Sequence, residues 1–302
     1  MLSTLIYASN ASSSQPSMDA TYSLPTNYML WFHGLKLGGS VFLAAALLEL
    51  TVLTTVKDII TKTEGGRSLY ATAWLYNAIN HLCLAPCVYT IGMNLYASAE
   101  PCSLQVKLMY ATATIGIHSV GYYLTHRAMH TKALWWAHRY HHKFNTFICP
   151  IAAAAVTQVL PSVLARPCRL HLLTPAWLLC TRARQTEYFF AYMIPFIMAG
   201  SILQPVPVET IAIAGLAIGH VNNLIHYAPL ERLSVRYVPW LGVSTADHFE
   251  HHRKLTSNYA APTLNVDRLV CLSPALERLA ARVFGAAFGK PVGVMESPSK
   301  CE

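Results

Sequence analysis

The chain has 302 residues, of which 54% are hydrophobic and 12% are charged, and its mean hydropathy is +0.35. Soluble domains carry roughly 25% charged residues, so this composition argues against a soluble protein and favours an integral membrane protein. The net charge of +8 does not indicate a nucleic-acid partner, because the basic residues lie in short loops between apolar runs, as they do in the cytosolic loops of membrane proteins.

The apolar segments are long enough to cross a lipid bilayer. Residues 1–27 precede them, are rich in Ser, Thr and Asn, and are predicted to form a disordered tail. The first segment exceeds the roughly 20 residues that a spanning helix needs, and the last two are predicted to form a hairpin. The segments lie at about 29–56, 69–97, 104–125, 188–203 and 208–225. The sequence therefore predicts an all-α integral membrane protein with about four to five transmembrane helices.

The division of the chain follows from these segments. A membrane-embedded domain is predicted over residues 28–268, and residues 269–302 form a C-terminal tail. Within the tail, Ser273-Pro274 is a typical helix start, so a short amphipathic helix is predicted there. The apolar face of this helix consists of Leu276, Leu279 and Val283.

Residues 159–185 differ from the rest of the chain. They contain three prolines and four arginines without a helical period, yet they are too apolar for an ordinary loop. The codons for Gln158, Val159 and Gln185 can contain splice donor and acceptor sequences, and the 27 residues correspond to a whole number of codons. Two hypotheses stay open: a translated retained intron or gene-model error, and a genuine lineage-specific insertion.

Three clusters of histidines follow the apolar segments. Residues three or four apart share one face of a helix, so each cluster can direct two or three imidazoles at one point, as metal binding requires. A single histidine in such a place is usually a hydrogen-bonded polar residue, but three clusters with repeated spacing favour a metal site. The clusters are HRAMH, with His126 and His130; HRYHH, with His138, His141 and His142; and HFEHH, with His248, His251 and His252.

The distribution of basic residues predicts one membrane face for all three clusters. The N-terminal tail has no Lys or Arg, whereas the first loop has Lys57, Lys62 and Arg67, so the positive-inside rule places this loop in the cytosol. Counting the apolar segments onward brings residues 126–142 and 248–252 to the same side. A cytosol-facing, histidine-rich helical cap is therefore predicted.

The ligand types narrow the chemistry of this cap. Neutral imidazole suits iron, zinc and copper. The clusters contain no cysteine, which argues against a thiolate zinc site, and the His-Glu-x-x-His motif of zinc proteases is absent. Eight imidazoles also exceed the four ligands of one tetrahedral zinc ion, so the sequence predicts two metal ions.

The motifs HRAMH, HRYHH and HFEHH resemble the signature of the fatty acid hydroxylase and sterol desaturase superfamily, over about residues 125–267 without the segment 159–185. The resemblance implies a membrane-bound, non-haem enzyme with two iron ions, which uses O₂ and external electrons to oxidise an unactivated lipid. It also implies additional His and Asn positions before the last motif, a region matched by His220, Asn222 and His226. The predicted ligands are His126, His130, His138, His141, His142, His226, His248, His251 and His252, with His220 and Asn222 as further candidates.

The stretch DHFEHHRKLTSNYAAPTLNVD is similar to the alternative squalene epoxidase branch of that superfamily. The expected function is epoxidation, hydroxylation or desaturation of a sterol, squalene or a related isoprenoid, in the endoplasmic reticulum membrane with the active site on the cytosolic face. A fatty acid or sphingolipid hydroxylase of the same superfamily is one alternative. A non-catalytic membrane protein that binds or transports metal is another, although transporters usually place their ligands near the bilayer midplane.

The expected partners are a lipid substrate and a separate electron donor, either a b-type cytochrome or a reductase, because no such module is visible in the sequence. An acidic donor would dock on basic residues around the cap, although the positive-inside rule alone also explains these residues. They are Arg127, Lys132, Arg139, Lys143, Arg253 and Lys254.

Four residues near the histidines are candidates for supporting roles. His118 and Tyr122 continue the stripe of the first cluster at intervals of four residues. They are predicted either to line a substrate channel or to make ordinary helix–helix contacts. Asp247 and Glu250 flank the last cluster, where they would either orient imidazoles through their second nitrogens or be solvated.

Overall fold

The computed structural model of the chain describes residues 25–154 and 186–288. Within these ranges the chain is mostly helical, which confirms the predicted all-α class. The strands found there are two residues long: β1 (Ala97–Ser98) pairs in parallel with β2 (Val206–Pro207). Nearly all of the predicted disordered tail, and the whole of the segment 159–185, lie outside the described residues.

The α-helices of the described ranges are joined by short turns and by π- and 3₁₀-helices. The first six are α1 (Asn27–Leu50), α2 (Leu53–Lys62), α3 (Gly66–Ile79), α4 (Ala85–Tyr96), α5 (Leu104–Met129) and α6 (Trp135–His138). The others are α7 (Thr186–Tyr188), α8 (Ile194–Leu203), α9 (Val208–Ile225), α10 (Glu231–Tyr237), α11 (Thr245–Lys254), α12 (Val266–Cys271) and α13 (Pro274–Phe288). The π-helices are Asn80–Leu84 and Phe189–Met193, and the 3₁₀-helices are His141–Lys143, Pro150–Ala154 and Ala228–Leu230.

The long helices form a bundle in which α1 packs along α4, α5 packs along α8, and α9 lies against both α1 and α5. The close approach of α1 to the π-helix before α4 requires glycine on α1. A Cβ on Gly38 would lie 1.9 Å from the carbonyl oxygen of His81, and a Cβ on Gly34 would lie 2.7 Å from Cα of Pro86. Small residues at such contacts are typical of helix pairs in membranes, where close packing holds the helices together.

Two helices of the described ranges, α1 and α9, are long and apolar enough to cross a membrane by length and composition. The predicted segment 104–125 also forms a long helix, α5, but polar side chains such as His118 and Ser119 interrupt its apolar sequence. The predicted segments 69–97 and 188–203 are each interrupted by a π-helix and therefore contain shorter α-helices.

The outer surface of the bundle is apolar. Leu47 of α1, Ile91 of α4 and Ile202 of α8 are 56%, 55% and 61% exposed. A soluble monomer rarely leaves so many large apolar side chains in water. Together with the two long helices, this surface favours association with a membrane.

The C-terminal part of the described chain covers the end of α5. Helix α12 packs against α5, and α13 follows it as the amphipathic helix predicted for the tail. Arg127 of α5 lies over the ring of Phe284, the buried residue of α13. The predicted apolar face of α13 is exposed, with Leu276, Leu279 and Val283 at 51–57%.

Candidate metal centre

The predicted histidine ligands, apart from His220, come together where α5 and α9 end. The turns around them place several short elements side by side. His126 lies in the last turn of α5 and His130 directly after it, His138 ends α6, and His141 and His142 begin a 3₁₀-helix; His226 follows α9, and His248, His251 and His252 lie on α11.

These nine side chains form two groups, and within each group the candidate ligand nitrogens lie within 4.8 Å of one another. Each of the nine histidines is at most 6% exposed. Group 1 consists of His126, His130, His138, His142 and His251, and group 2 of His141, His226, His248 and His252. Each group can hold a metal ion.

Each motif of three histidines is divided between the two groups. In HRYHH the first and third histidines belong to group 1 and the second to group 2, whereas HFEHH has the opposite division. On a helix, residues i and i+4 are only about 40° apart, but residue i+3 is about 100° away from i+4. Each cluster therefore directs two imidazoles at one group, within the expected two or three, and the remaining histidine of HRYHH and of HFEHH belongs to the other group.

Backbone carbonyls fix the outer nitrogen of four of these rings. The Nδ1–O distances are 2.9 Å for His126 and Tyr259, 3.1 Å for His141 and Ala152, 2.8 Å for His226 and Asn222, and 2.7 Å for His251 and Ser257. A carbonyl oxygen only accepts, so each Nδ1 carries the proton and each neutral ring turns its Nε2 lone pair towards its group. This is the arrangement of an imidazole that binds metal through Nε2.

The inner nitrogens make more close contacts than hydrogen bonding can satisfy. His138 Nε2 lies 2.9 Å from His126 Nε2 and 3.0 Å from His142 Nε2. His248 Nε2 likewise has neighbours in group 2 at 2.8 and 3.1 Å. The Nε2 of a neutral ring has either one proton or one lone pair, so it makes only one of two such contacts as a hydrogen bond. A cation among the nitrogens satisfies all of them.

A second proton on the rings does not account for these nitrogen–nitrogen contacts either. The pKa values of His138 and His248 lie well below the ordinary value of 6.5, mainly because the rings are buried, and neighbouring histidines lower them further. The rings therefore stay neutral at physiological pH, which is the form that ligates metals. The donor set, nine buried neutral imidazoles, fits metal ions that accept nitrogen ligands.

Glu187 is a buried carboxylate that the sequence interpretation missed. Its Oε1 lies 2.8 Å from Nδ1 of His138 in group 1 and 3.9 Å from Nδ1 of His141 in group 2. Its Oε2 has no hydrogen-bond partner among the described residues, and burial raises the pKa of the carboxyl well above its ordinary value. A carboxylate behind a ligating histidine orients the ring and increases its basicity. The signal in the sequence was one acidic residue at the edge of the apolar run TEYFFAYM.

Glu49 supports the site from α1 and was also missed. Its Oε2 accepts a hydrogen bond of 3.1 Å from the backbone nitrogen of Ile151. This bond holds the 3₁₀-helix Pro150–Ala154, whose carbonyls at Ala152 and Ala153 accept hydrogen bonds from His141 and Asn222. An acidic residue within an apolar helix is a sign of a specific role.

His220 lies outside both groups, and Asn222 contacts group 2 through its backbone. Nδ1 of His220 is 2.9 Å from the carbonyl oxygen of Leu216 on its own helix. The Asn222 side chain donates to Tyr192 Oη, and its backbone carbonyl accepts from His226. Asn222 therefore positions a histidine of group 2 through its backbone carbonyl.

Asp247 and Glu250 do not orient imidazoles. Asp247 forms the capping box of α11 and an ion pair of 3.2 Å with Arg268. Glu250 forms an ion pair of 2.6 Å with Lys254, one turn along the same helix. Each carboxylate has a nearer partner than any ring, so the hypothesis of an orienting role was wrong for both.

Aromatic rings surround group 1. The Tyr122 ring centroid is 5.0 Å from that of His126, and the half-buried Trp135 stacks on His142 with centroids 5.5 Å apart. His118 is fully buried, with its ring 4.6 Å from that of Phe196. These rings leave little room for water beside the histidines.

Comparisons of the chain with protein-family models, with curated proteins and with solved structures find no match. Membership of the fatty acid hydroxylase and sterol desaturase superfamily therefore stays a prediction from the motifs. The function is inferred below from the geometry of the chain's own site.

Proposed function

We propose that this protein is a membrane-bound, non-haem di-iron oxygenase that oxidises a lipid with O₂. The proposal rests on one observation above all: two adjacent groups of buried imidazoles whose inner nitrogens lie 2.8–3.1 Å apart. The substrate proposed is squalene, a sterol or a related isoprenoid, as in the superfamily that the motifs resemble.

The spacing of the nitrogens supports metal ions with five or six ligands. For a metal–nitrogen distance of about 2.1 Å, ligands at 90° have nitrogens roughly 3.0 Å apart, whereas tetrahedral ligands have nitrogens roughly 3.4 Å apart. The contacts between neighbouring nitrogens are 2.9, 3.0 and 3.1 Å in group 1 and 2.8 and 3.1 Å in group 2. Group 1 also has five candidate ligands, one more than a tetrahedral zinc ion accepts.

Two iron ions held by groups 1 and 2 would supply the activation of O₂ that oxidation of an unactivated lipid requires. The chain contributes the ligands and keeps them in place. Glu187 holds His138, and the backbone carbonyls hold four other rings. Tyr122 and Trp135 exclude water from the side of group 1, which protects reactive species from side reactions.

A metal transporter is a weaker proposal for the same residues. Transport requires that ligands release the ion along a path. Here the nine rings are at most 6% exposed, and the outer nitrogens of five of them are hydrogen-bonded to fixed groups. Such rigid ligation supports a resident cofactor.

The proposal includes an integral membrane protein of the endoplasmic reticulum with four to five spanning helices. The apolar outer surface supports this. Segments 69–97 and 188–203, although each contains a π-helix, expose apolar side chains such as Leu75, Ile91 and Ile202, and the two long helices do the same. The histidine site would face the cytosol, next to the exposed residues Arg139 and Lys143. A separate, acidic electron donor would dock on this basic surface.

The test combines activity with a matched pair of variants. The full chain is expressed in a host that lacks squalene epoxidase, and the lipids are profiled with and without O₂. We expect an oxidised isoprenoid that depends on O₂, that disappears in His251→Ala and that persists in His220→Ala, since only His251 belongs to a group. A protein that retains two iron ions but forms no oxidised lipid of any class would contradict the proposal.

A further inference from the structure

An apolar cavity of about 210 Å³ lies inside the bundle, between α1, α4, α8 and α9. Its lining consists almost entirely of aliphatic, aromatic and glycine residues, including Leu37, Val88, Phe196 and Ile218. An apolar cavity of this kind does not hold ordered water, because water needs polar partners. It is therefore suited to an apolar ligand.

The lining of the cavity is elongated. Along the π-helix and α4 it extends from His81 to Tyr96, which is roughly 22 Å at 1.5 Å per residue. An apolar lining of this length suits an extended hydrocarbon chain.

One side of the cavity opens to the outer surface of the bundle. Ile91 and Leu95 of α4 and Ile197 of α8 belong to the lining, and they are 55%, 60% and 42% exposed. This opening lies in the apolar surface assigned above to the bilayer. A lipid chain can enter here without crossing water.

The other end of the cavity reaches the wall of the metal centre. Tyr188 and Tyr192 belong to the lining. Tyr188 directly follows Glu187, whose carboxylate holds His138. Tyr192 accepts a hydrogen bond from Asn222 and lies beside Tyr122, with ring centroids 6.4 Å apart. Tyr192 and Tyr122 thus connect the end of the cavity to His126 of group 1, and Tyr192 and Asn222 connect it to His226 of group 2.

We propose that this cavity binds an extended hydrocarbon chain, acyl or isoprenoid, that enters from the bilayer between α4 and α8 and ends at Tyr188 and Tyr192. As an assignment of the substrate of the metal centre, it rests on the proposed function and narrows it to a lipid with a flexible chain. His118 and Tyr122, for which channel lining and helix–helix contacts were both open, are not part of the lining; the His118 ring contacts Phe196, which is.

The glycines of the bundle allow a test that leaves the packing intact. Gly92 and Gly215 both line the cavity, and a Cβ on either would meet no atom within 4 Å. Gly116 of α5 is equally free of neighbours but does not line the cavity. Gly215→Leu and Gly92→Leu therefore fill the cavity, and Gly116→Leu is the matched control. In a helix each of these changes also removes the entropic cost of glycine.

The experiment measures binding of tritiated squalene and tritiated oleic acid to the purified full chain, with unlabelled cholesterol as a fused-ring competitor. A leucine side chain displaces roughly four methylene groups of the bound lipid, and burial of each methylene strengthens binding about fourfold. Binding should therefore weaken roughly 250-fold in Gly215→Leu. Gly116→Leu should bind as the wild type does. The two labelled lipids distinguish an isoprenoid from an acyl occupant, and cholesterol should compete poorly.

Two results would overturn the assignment: equal binding by Gly215→Leu, Gly92→Leu and Gly116→Leu, or cholesterol that competes as well as the linear lipids do. Iron content is measured in the same preparations and should be unchanged in all three variants. Absence of iron together with cavity-dependent lipid binding would contradict the proposed function alone. Iron-dependent lipid oxidation with unchanged binding in Gly215→Leu would contradict the cavity assignment alone.

Discussion

Replacement of Glu187 by glutamine tests how the chain holds its metal ligands. The change keeps the length and shape of the side chain but replaces the carboxyl group whose Oε1 lies 2.8 Å from Nδ1 of His138 and 3.9 Å from Nδ1 of His141, so the side chain cannot ionise when metal binds. Loss of a carboxylate behind a ligating histidine typically lowers metal affinity 10- to 100-fold, or about 1.4–2.8 kcal/mol. The larger effect is expected for group 1, because His138 is the nearer ring.

The metal-free protein should respond differently. In the absence of metal, Glu187 is a buried carboxyl whose Oε2 has no hydrogen-bond partner among the described residues. Burial of such a group costs free energy, so the neutral glutamine should leave the stability of the metal-free chain unchanged to within about 1 kcal/mol. A merely structural role would lower the stability of both forms together.

The assay is a titration of the anaerobic protein with Fe²⁺ in competition with a chelator, beside thermal unfolding of the metal-free form. Glu250→Gln is the matched control, because Glu250 lies within the HFEHH motif but pairs with Lys254 at the surface. An affinity for Fe²⁺ in Glu187→Gln equal to that of the control would refute the orienting role.

Three further predictions follow from other parts of the structure. Gly38→Ala should lower the free energy of unfolding by about 2 kcal/mol or more, because its Cβ would lie 1.9 Å from the carbonyl oxygen of His81. Gly39→Ala should be tolerated, because the nearest atom to its Cβ lies at 3.9 Å, and thermal unfolding in detergent compares the two variants. Glu49→Gln should weaken iron binding by group 2, because it weakens the hydrogen bond to Ile151 and so loosens the Ala152 carbonyl that holds His141. A titration with Fe²⁺ measures this, and an unchanged affinity would count against the supporting role of Glu49. Burial raises the pKa of Asp267 from 3.8 to about 7, so its contribution to stability is greatest below pH 4 and is lost as pH rises through 7. Between pH 6 and 8 the free energy of unfolding of the wild type should therefore fall by about 1 kcal/mol relative to Asp267→Asn, and parallel stability curves would contradict this.

The sequence predicted the helices and the histidines of the site because both depend on local spacing. Apolar runs long enough to span a bilayer predicted α1 and α9, and Ser273-Pro274 predicted the start of α13. Intervals of three and four residues identified eight of the nine grouped histidines, and the neighbourhood of Asn222 identified His226. These patterns need no knowledge of which helices are neighbours.

What the sequence did not predict depends on tertiary contacts. Glu187 and Glu49 lie 49 and 102 residues from their partners His138 and Ile151, and no spacing rule connects them. The division of each three-histidine motif between two groups also follows from where the neighbouring helices end. Asp247 lies next to His248 in the sequence, yet Arg268, 21 residues later, is its partner in space.

The central claim is that groups 1 and 2 hold two iron ions through nitrogen ligands. Its most direct test is Mössbauer spectroscopy of the full chain reconstituted anaerobically with ⁵⁷Fe²⁺, with the iron content of the same sample measured by elemental analysis. We predict two iron ions per chain in five- or six-coordinate, nitrogen-rich sites, and one site lost in His251→Ala. A chain that binds no iron, or that binds a single tetrahedral zinc ion in preference to iron, would contradict the claim.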